Sequence, residues 1–199
     1  MEYVKVHKKR VFIDNRVLYL ESYNINNMKE IKDLKKYKNL YGLYLEKNNI
    51  TKIDSLENHT NLIKLHLEKN NISMIDGLTS LINLEELELK GNRIEVIEGL
   101  DTLKKLRYLD LSFNNIKKIE GLDKLSRLEF LELSDNQIEE IQGLDSLVNL
   151  KYLNLSNNPI SQIKGLENLK NLQHLKIREI KIFIKPNLIY LPKLIKLDF

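Results

Sequence analysis

The side chains that could do chemistry in this chain are 28 carboxylates and four histidines, with no cysteine among 199 residues. His7, His59, His66 and His174 have no metal-ligand spacing, and no H-E-x-x-H, glycine-rich phosphate loop or nucleophile elbow occurs. Carboxylate pairs such as Glu86 and Glu88 recur along the chain instead of converging on one pocket. The sequence therefore predicts no enzyme, no cofactor, no metal and no small-molecule substrate. What remains is recognition chemistry. Tyr108, Phe130 and Tyr152 are spaced by 22 residues, and so are Glu88, Asp110 and Glu132. Side chains that far apart act together only if the elements carrying them stack in register.

The same interval governs the whole middle of the chain. Six units without insertion or deletion begin at Leu40, Leu62, Leu84, Leu106, Leu128 and Leu150. Apolar residues are expected at positions 1, 4, 6, 11, 14, 17 and 20 of each, and Leu or Ile fills 41 of these 42 slots. The exception, His59, is expected to be a satisfied core histidine. Positions 3 to 7 alternate and read as a short strand. Positions 11, 14, 17 and 20 are spaced as in tight helical turns. Position 16 is Gly77, Gly99, Gly121, Gly143 and Gly165, where a side chain would hinder the backbone, and Ser55 in the first unit. No unit can bury its own apolar face, so the units must stack into one continuous interior. Position 9 is always asparagine: Asn48, Asn70, Asn92, Asn114, Asn136 and Asn158. An amide at the bend where the strand ends offers two donors and an acceptor to peptide groups left unpaired there, which makes this column a structural ladder.

These residues carry a family resemblance. The stretch LDLSFNNIKKIEGLDKLSRL, from Leu109 to Leu128, resembles the 22-residue leucine-rich repeats of the regulatory proteins of protein phosphatase type 1, and the match runs from Leu40 to Asn171. The resemblance implies an α/β repeat: a right-handed, curved leucine-rich-repeat solenoid, with a parallel β-sheet on the concave face and short 3-10 or helical turns on the convex face. It further implies a regulatory or scaffolding subunit that meets its partner through acidic and aromatic side chains of the concavity. Similar repeats serve spliceosomal, axonemal, tubulin-chaperone and bacterial surface proteins.

Three regions follow. Residues 40–171 are the regular units. Residues 1–39 read as an N-terminal β cap, with β-prone runs YVKV, RVFI and RVLYL and a turn at Asp14-Asn15, followed by a degenerate repeat over 18–39. Counting back by 22 places Asn26, Met28, Ile31 and Leu34 in their slots and puts Glu21 and Tyr23 where strand leucines belong. Residues 172–199 read as a divergent repeat, with Ile180 in the asparagine slot, an altered IKIFIKPNLIYLPKL and a final strand in LIKLDF.

Function is expected on the outward strand positions, which the interior leaves free. The candidate partner-binding residues are Glu86, Tyr108, Phe130, Tyr152 and His174 at position 3, Tyr44, His66, Glu88, Asp110, Glu132 and Asn154 at position 5, and Phe113 and Asp135 at position 8. Three aromatics at adjacent strand positions stack at about 4.8 Å, beside carboxylates that repel one another. Such a patch suits a partner protein with a basic contact surface, in which rings anchor and charges select.

Net charge is +4, with residues 1–39 and 172–199 basic and residues 40–171 acidic. An acidic centre repels phosphates, so no nucleic acid is expected. No apolar run approaches the roughly 20 residues of a membrane span, and the N-terminus lacks a signal peptide's apolar stretch. The expectation is a monomer of the cytoplasm or nucleus. Two alternatives stand beside it: a surface adhesion module of internalin type, and a structural segment self-associating through its C-terminal edge strand. Of the four sequons, at Asn49, Asn58, Asn71 and Asn154, three arise from the repeat wording or its strand, so chance explains them better than glycosylation.

Overall fold

A computed structural model describes residues 2–180 and 188–198. An antiparallel hairpin of β1 (Tyr3–Val6) and β2 (Lys9–Phe12) precedes nine short strands: β3 (Val17–Tyr19), β4 (Gly42–Tyr44), β5 (Lys64–His66), β6 (Glu86–Glu88), β7 (Tyr108–Asp110), β8 (Phe130–Glu132), β9 (Tyr152–Asn154), β10 (His174–Lys176) and β11 (Lys196–Asp198). These nine form one parallel sheet in strictly sequential order. From β4 to β11 each residue pairs with the one 22 positions on, so Leu43, Leu65, Leu87, Leu109, Leu131, Leu153, Leu175 and Leu197 lie in one row. The molecule is a curved solenoid with its strands on the concave side.

The apolar slots of the six units fill the interior. All but Ile163 are buried, and His59 is fully buried among them. On the convex side each regular unit makes consecutive tight turns, such as Leu81 N to Leu78 O and Leu84 N to Leu81 O, both 2.9 Å. The helical component of the fold is thus reduced to single turns, and the two 3-10 segments among the described residues, Met28–Glu30 and Leu34–Lys36, both lie in the first coil. Among the described residues, no helix is long and apolar enough to cross a membrane. Gly99 shows why position 16 is glycine: its φ is +70°, and a Cβ there would sit 2.3 Å from the carbonyl oxygen of Ile75 in the preceding coil.

The asparagine column bonds as a ladder. Asn114 Oδ1 accepts from Ile94 N at 3.0 Å, while Nδ2 reaches Leu89 O at 3.1 Å in the previous coil and Leu111 O at 3.0 Å in its own. Leu111 O also accepts from Asn136 Nδ2 at 3.0 Å. Consecutive rungs therefore share a carbonyl, and the amides link coil to coil.

The first coil departs from the expected register. Leu18 pairs with Leu43, an interval of 25 residues, not 22. Leu20 and Ile25 are buried in the slots of Leu45 and Ile50, and Met28, Ile31 and Leu34 follow in core positions. Tyr23, not Asn26, occupies the ladder position. The three extra residues lie between Leu34 and Leu40, which leave five residues between them where a regular unit leaves two between His59 and Leu62. Glu21 lies beyond the strand, so no strand leucine is replaced. The hairpin covers this coil with Val4, Val6 and Val11. Lys5 and Lys32 exchange backbone hydrogen bonds, and Tyr37 Oη donates to Tyr3 O at 2.8 Å and accepts from Tyr3 N at 3.2 Å. The turn before β3 centres on Asn15 and Arg16, both left-handed. At the other end β11 is the last strand among the described residues. Residues 181–187 of the altered convex stretch lie outside those described.

Candidate protein-binding face

Alternation along each three-residue strand buries the central leucine and turns its two neighbours into the concavity. Register then does the rest. Tyr108 and Phe130 stack with ring centroids 4.4 Å apart and planes 7° apart, and Phe130 and Tyr152 at 4.1 Å and 6°. His174 continues the column at 6.5 Å from Tyr152. All four are half-buried. Plates packed this way turn their faces to each other and their edges to the concavity. At one end of the stack, Lys176 Nζ lies 5.3 Å from the Tyr152 ring centre, a cation on the ring face.

Two position-5 residues do not join this surface. Asp110 is buried because its carboxylate turns down to accept from Ser112 N at 2.8 Å and Ser112 Oγ at 2.6 Å. Asn154 is buried for the same reason, accepting from Ser156 N at 3.0 Å. Both act as local turn acceptors beneath the aromatic column, not as contact residues. Burial raises the Asp110 pKa, opposed by the two Ser112 hydrogen bonds. Glu132 stays half-exposed and accepts from Tyr152 Oη at 3.1 Å; burial raises its pKa too. The Tyr108 and Tyr152 phenols are pushed well above their ordinary value, first by burial and then by the carboxylates around them.

Position 8 is left-handed in every regular unit: Lys47, Lys69, Gly91, Phe113, Asp135 and Asn157 have φ between 52° and 67°. A bulky residue is uncommon there. Phe113 nevertheless holds φ 55° and leaves half its surface exposed, 51%, with Lys90 Nζ 5.1 Å from its ring centre. Asp135 is half-buried and accepts from Asn157 Nδ2 at 2.9 Å.

The remaining candidates gather on β4 to β6. Tyr44 packs on His66 with centroids 4.4 Å apart, and on its other side stacks on Tyr19 at 4.9 Å. His66 Nε2 lies 2.7 Å from Glu86 Oε1 and 3.9 Å from Glu88 Oε1; its Nδ1 lies 3.6 Å from Glu46 Oε1 and 3.9 Å from Glu68 Oε1. Glu86 is also paired with Lys64 Nζ at 2.7 Å, so its charge is largely met within the chain. Burial works against a charge on His66, but the surrounding glutamates outweigh it and raise the imidazole pKa. Burial and the neighbouring Glu88 raise that of Glu68.

Tyr19, Glu46 and Glu68 belong to this face and escaped the sequence. For Tyr19 a signal existed: Leu18-Tyr19-Leu20-Glu21 repeats as Leu43-Tyr44-Leu45-Glu46, 25 residues apart. Glu46 and Glu68 stand at position 7, an outward position from which the aromatic column drew no candidates.

The leucine-rich-repeat model (two copies) matches residues 60–102, 82–124, 104–146, 126–168 and 148–182, together more than half of the chain. No curated protein matches. Among solved structures, internalin C2 of Listeria monocytogenes superposes with a TM-score of 0.81 at 29% identity, over 92% of this chain and 79% of that one. A leucine-rich-repeat protein of Leptospira interrogans gives 0.76 at 29%, over 83% of this chain and 44% of its own. The functional domain of InlJ from Listeria monocytogenes, which includes a cysteine ladder, gives 0.54 at 20%, over 92% and 53% respectively, a likeness of fold alone. This chain thus spans about half of those last two. Repeats of this architecture are typical of protein-binding modules. With its 22-residue units, its asparagine ladder and its sequential parallel sheet, the chain belongs to the leucine-rich-repeat family.

Proposed function

We propose that the concave face binds another protein through the stacked rings of Tyr108, Phe130 and Tyr152 and the neighbouring Phe113, with no catalytic step. The observation that carries this is Phe113: a large apolar ring held half-exposed on a backbone conformation that glycine would take without strain. A scaffold gains nothing from that choice, whereas a docking anchor does. The partner's contact surface is basic. Glu88 and Glu132 flank the rings, and Lys176 already demonstrates how a cation seats on this stack.

Phe113→Gly separates binding from folding. It relieves left-handed strain, so urea melts should show stability unchanged or raised by about 1 kcal/mol. Proteins recovered by the parent in a pull-down should be lost. Equal recovery by parent, Phe113→Gly and the Tyr108→Ala/Phe130→Ala double variant removes these rings as anchors.

The setting is the finer question. A phosphatase-type regulatory subunit is one form of the proposal. The similarity to internalin C2 at 29% identity favours the other, a surface adhesion module. The pull-down decides between them by whether a phosphatase or a cell-surface protein is recovered.

A further inference from the structure

We propose that His66, Glu46 and Glu68 form a binding site for a divalent transition-metal ion of the zinc type. The site is independent of whether the aromatic stack docks a protein.

The ligands come from two adjacent coils. Glu46 stands at position 7 of one unit, His66 and Glu68 at positions 5 and 7 of the next, and all three lie on the concave side of parallel strands about 4.8 Å apart. One donor atom from each lies within 4.8 Å of the others. His66 Nδ1 sits 3.6 Å and 3.9 Å from the two carboxylate oxygens. Those distances are too long for hydrogen bonds and close to the separation of neighbouring ligands around a tetrahedral ion with bonds of about 2.0–2.2 Å.

The other imidazole nitrogen supplies a second, independent sign. Nε2 lies 2.7 Å from Glu86 Oε1, and Glu86 is itself held by Lys64 at 2.7 Å. Assigning the proton to Nε2, which this contact favours, leaves a lone pair on Nδ1 facing two carboxylates. A carboxylate that receives the far N–H of an imidazole is the common support of a histidine ligand, because it fixes tautomer and ring plane. Tyr44 against the ring face restrains that plane further. In addition, Glu46 Oε2 and Glu68 Oε2 are buried and have no hydrogen-bond partner. The Nδ1 lone pair thus meets two carboxylates, each of which also carries a buried oxygen without a partner. An imidazole nitrogen with two carboxylates suits zinc-like ions over calcium or magnesium, which prefer oxygen alone. The fourth position is left for water. The histidine spacing hides all this, since the ligands are brought together by strand register.

The competing occupant is a proton, and the test separates the two. Tag-free full chain, stripped with a chelator, is titrated calorimetrically with Zn2+ and, separately, with Ca2+. The expected result is one Zn2+ per chain at micromolar affinity or tighter and much weaker Ca2+ binding. His66→Phe preserves the ring on Tyr44 and Glu68→Gln preserves shape; each should weaken Zn2+ by at least about tenfold, and Glu86→Gln by about 10- to 100-fold through the imidazole. His7→Asn should change nothing. In the Co2+-substituted parent, visible absorption should report a nitrogen-oxygen site that His66→Phe abolishes. No saturable Zn2+ binding, binding that survives His66→Phe, or Ca2+ bound as tightly as Zn2+ overturns the proposal.

Discussion

A ladder asparagine does more than fill a slot. Removing the Asn114 amide orphans the buried Ile94 N–H and withdraws donors from Leu89, Leu111 and Ser112 carbonyls, each of which retains another partner. Asn114→Leu should therefore cost at least about 2 kcal/mol in urea melts, most of it from the one unpaired N–H. His59 is the opposite case, a polar residue in an apolar slot. Its Nε2 meets Leu34 O at 3.2 Å, but Nδ1 is buried without a partner, and burial lowers its pKa below 6.5. Proton uptake is thus harder in the fold than in the open chain. No stability is lost to this above the unfolded value near 6.5, and the loss grows as pH falls below it. His59→Leu should match the regular units and stabilise the chain. Its advantage in thermal melts should widen between pH 7 and pH 5. The apolar slots were legible in the sequence because one period repeats six times. The depth of Asp110 was not, because alternation gives the face a side chain points to, while the hydrogen bond to Ser112 decides whether it reaches solvent.

Among the elements, the strands of the regular units could be placed from sequence, although they span positions 3 to 5 and not the expected 3 to 7, and the first coil could not. Counting by 22 assigned Asn26 to the ladder, but the hairpin must cover Ile31 and Leu34, and the chain uses three extra residues after Leu34 to reach Leu40. The LYLE echo at Leu18 and Leu43 held the true interval. The hairpin itself rests on few bonds besides its own ladder. Tyr37→Phe removes the hydroxyl that bonds both Tyr3 N and Tyr3 O. Amide exchange should accelerate in β1 and β2, while amides near Asn114 keep their protection, because local opening at a solenoid end need not involve the centre.

On the scale of the whole molecule, charge is segregated: basic ends flank an acidic middle that holds the concave carboxylates. That distribution steers a basic partner to the centre of the arc and away from its tips. Register also makes the coils interchangeable parts, since from β4 onward each strand pairs with the next through equivalent residues. Excising residues 84–105 and joining Asn83 to Leu106 should leave a folded, less stable solenoid, with circular dichroism unchanged in shape and a lower melting temperature. In that shortened chain Tyr108 would follow Lys64, and Asp110 would follow His66. Gaining or losing a whole unit thus works like sliding one printed strip along another. The ring column and the histidine cluster can be brought together or moved apart by tens of residues at a stroke, with no single side chain altered, giving such a scaffold a route to new partners that point substitution does not offer.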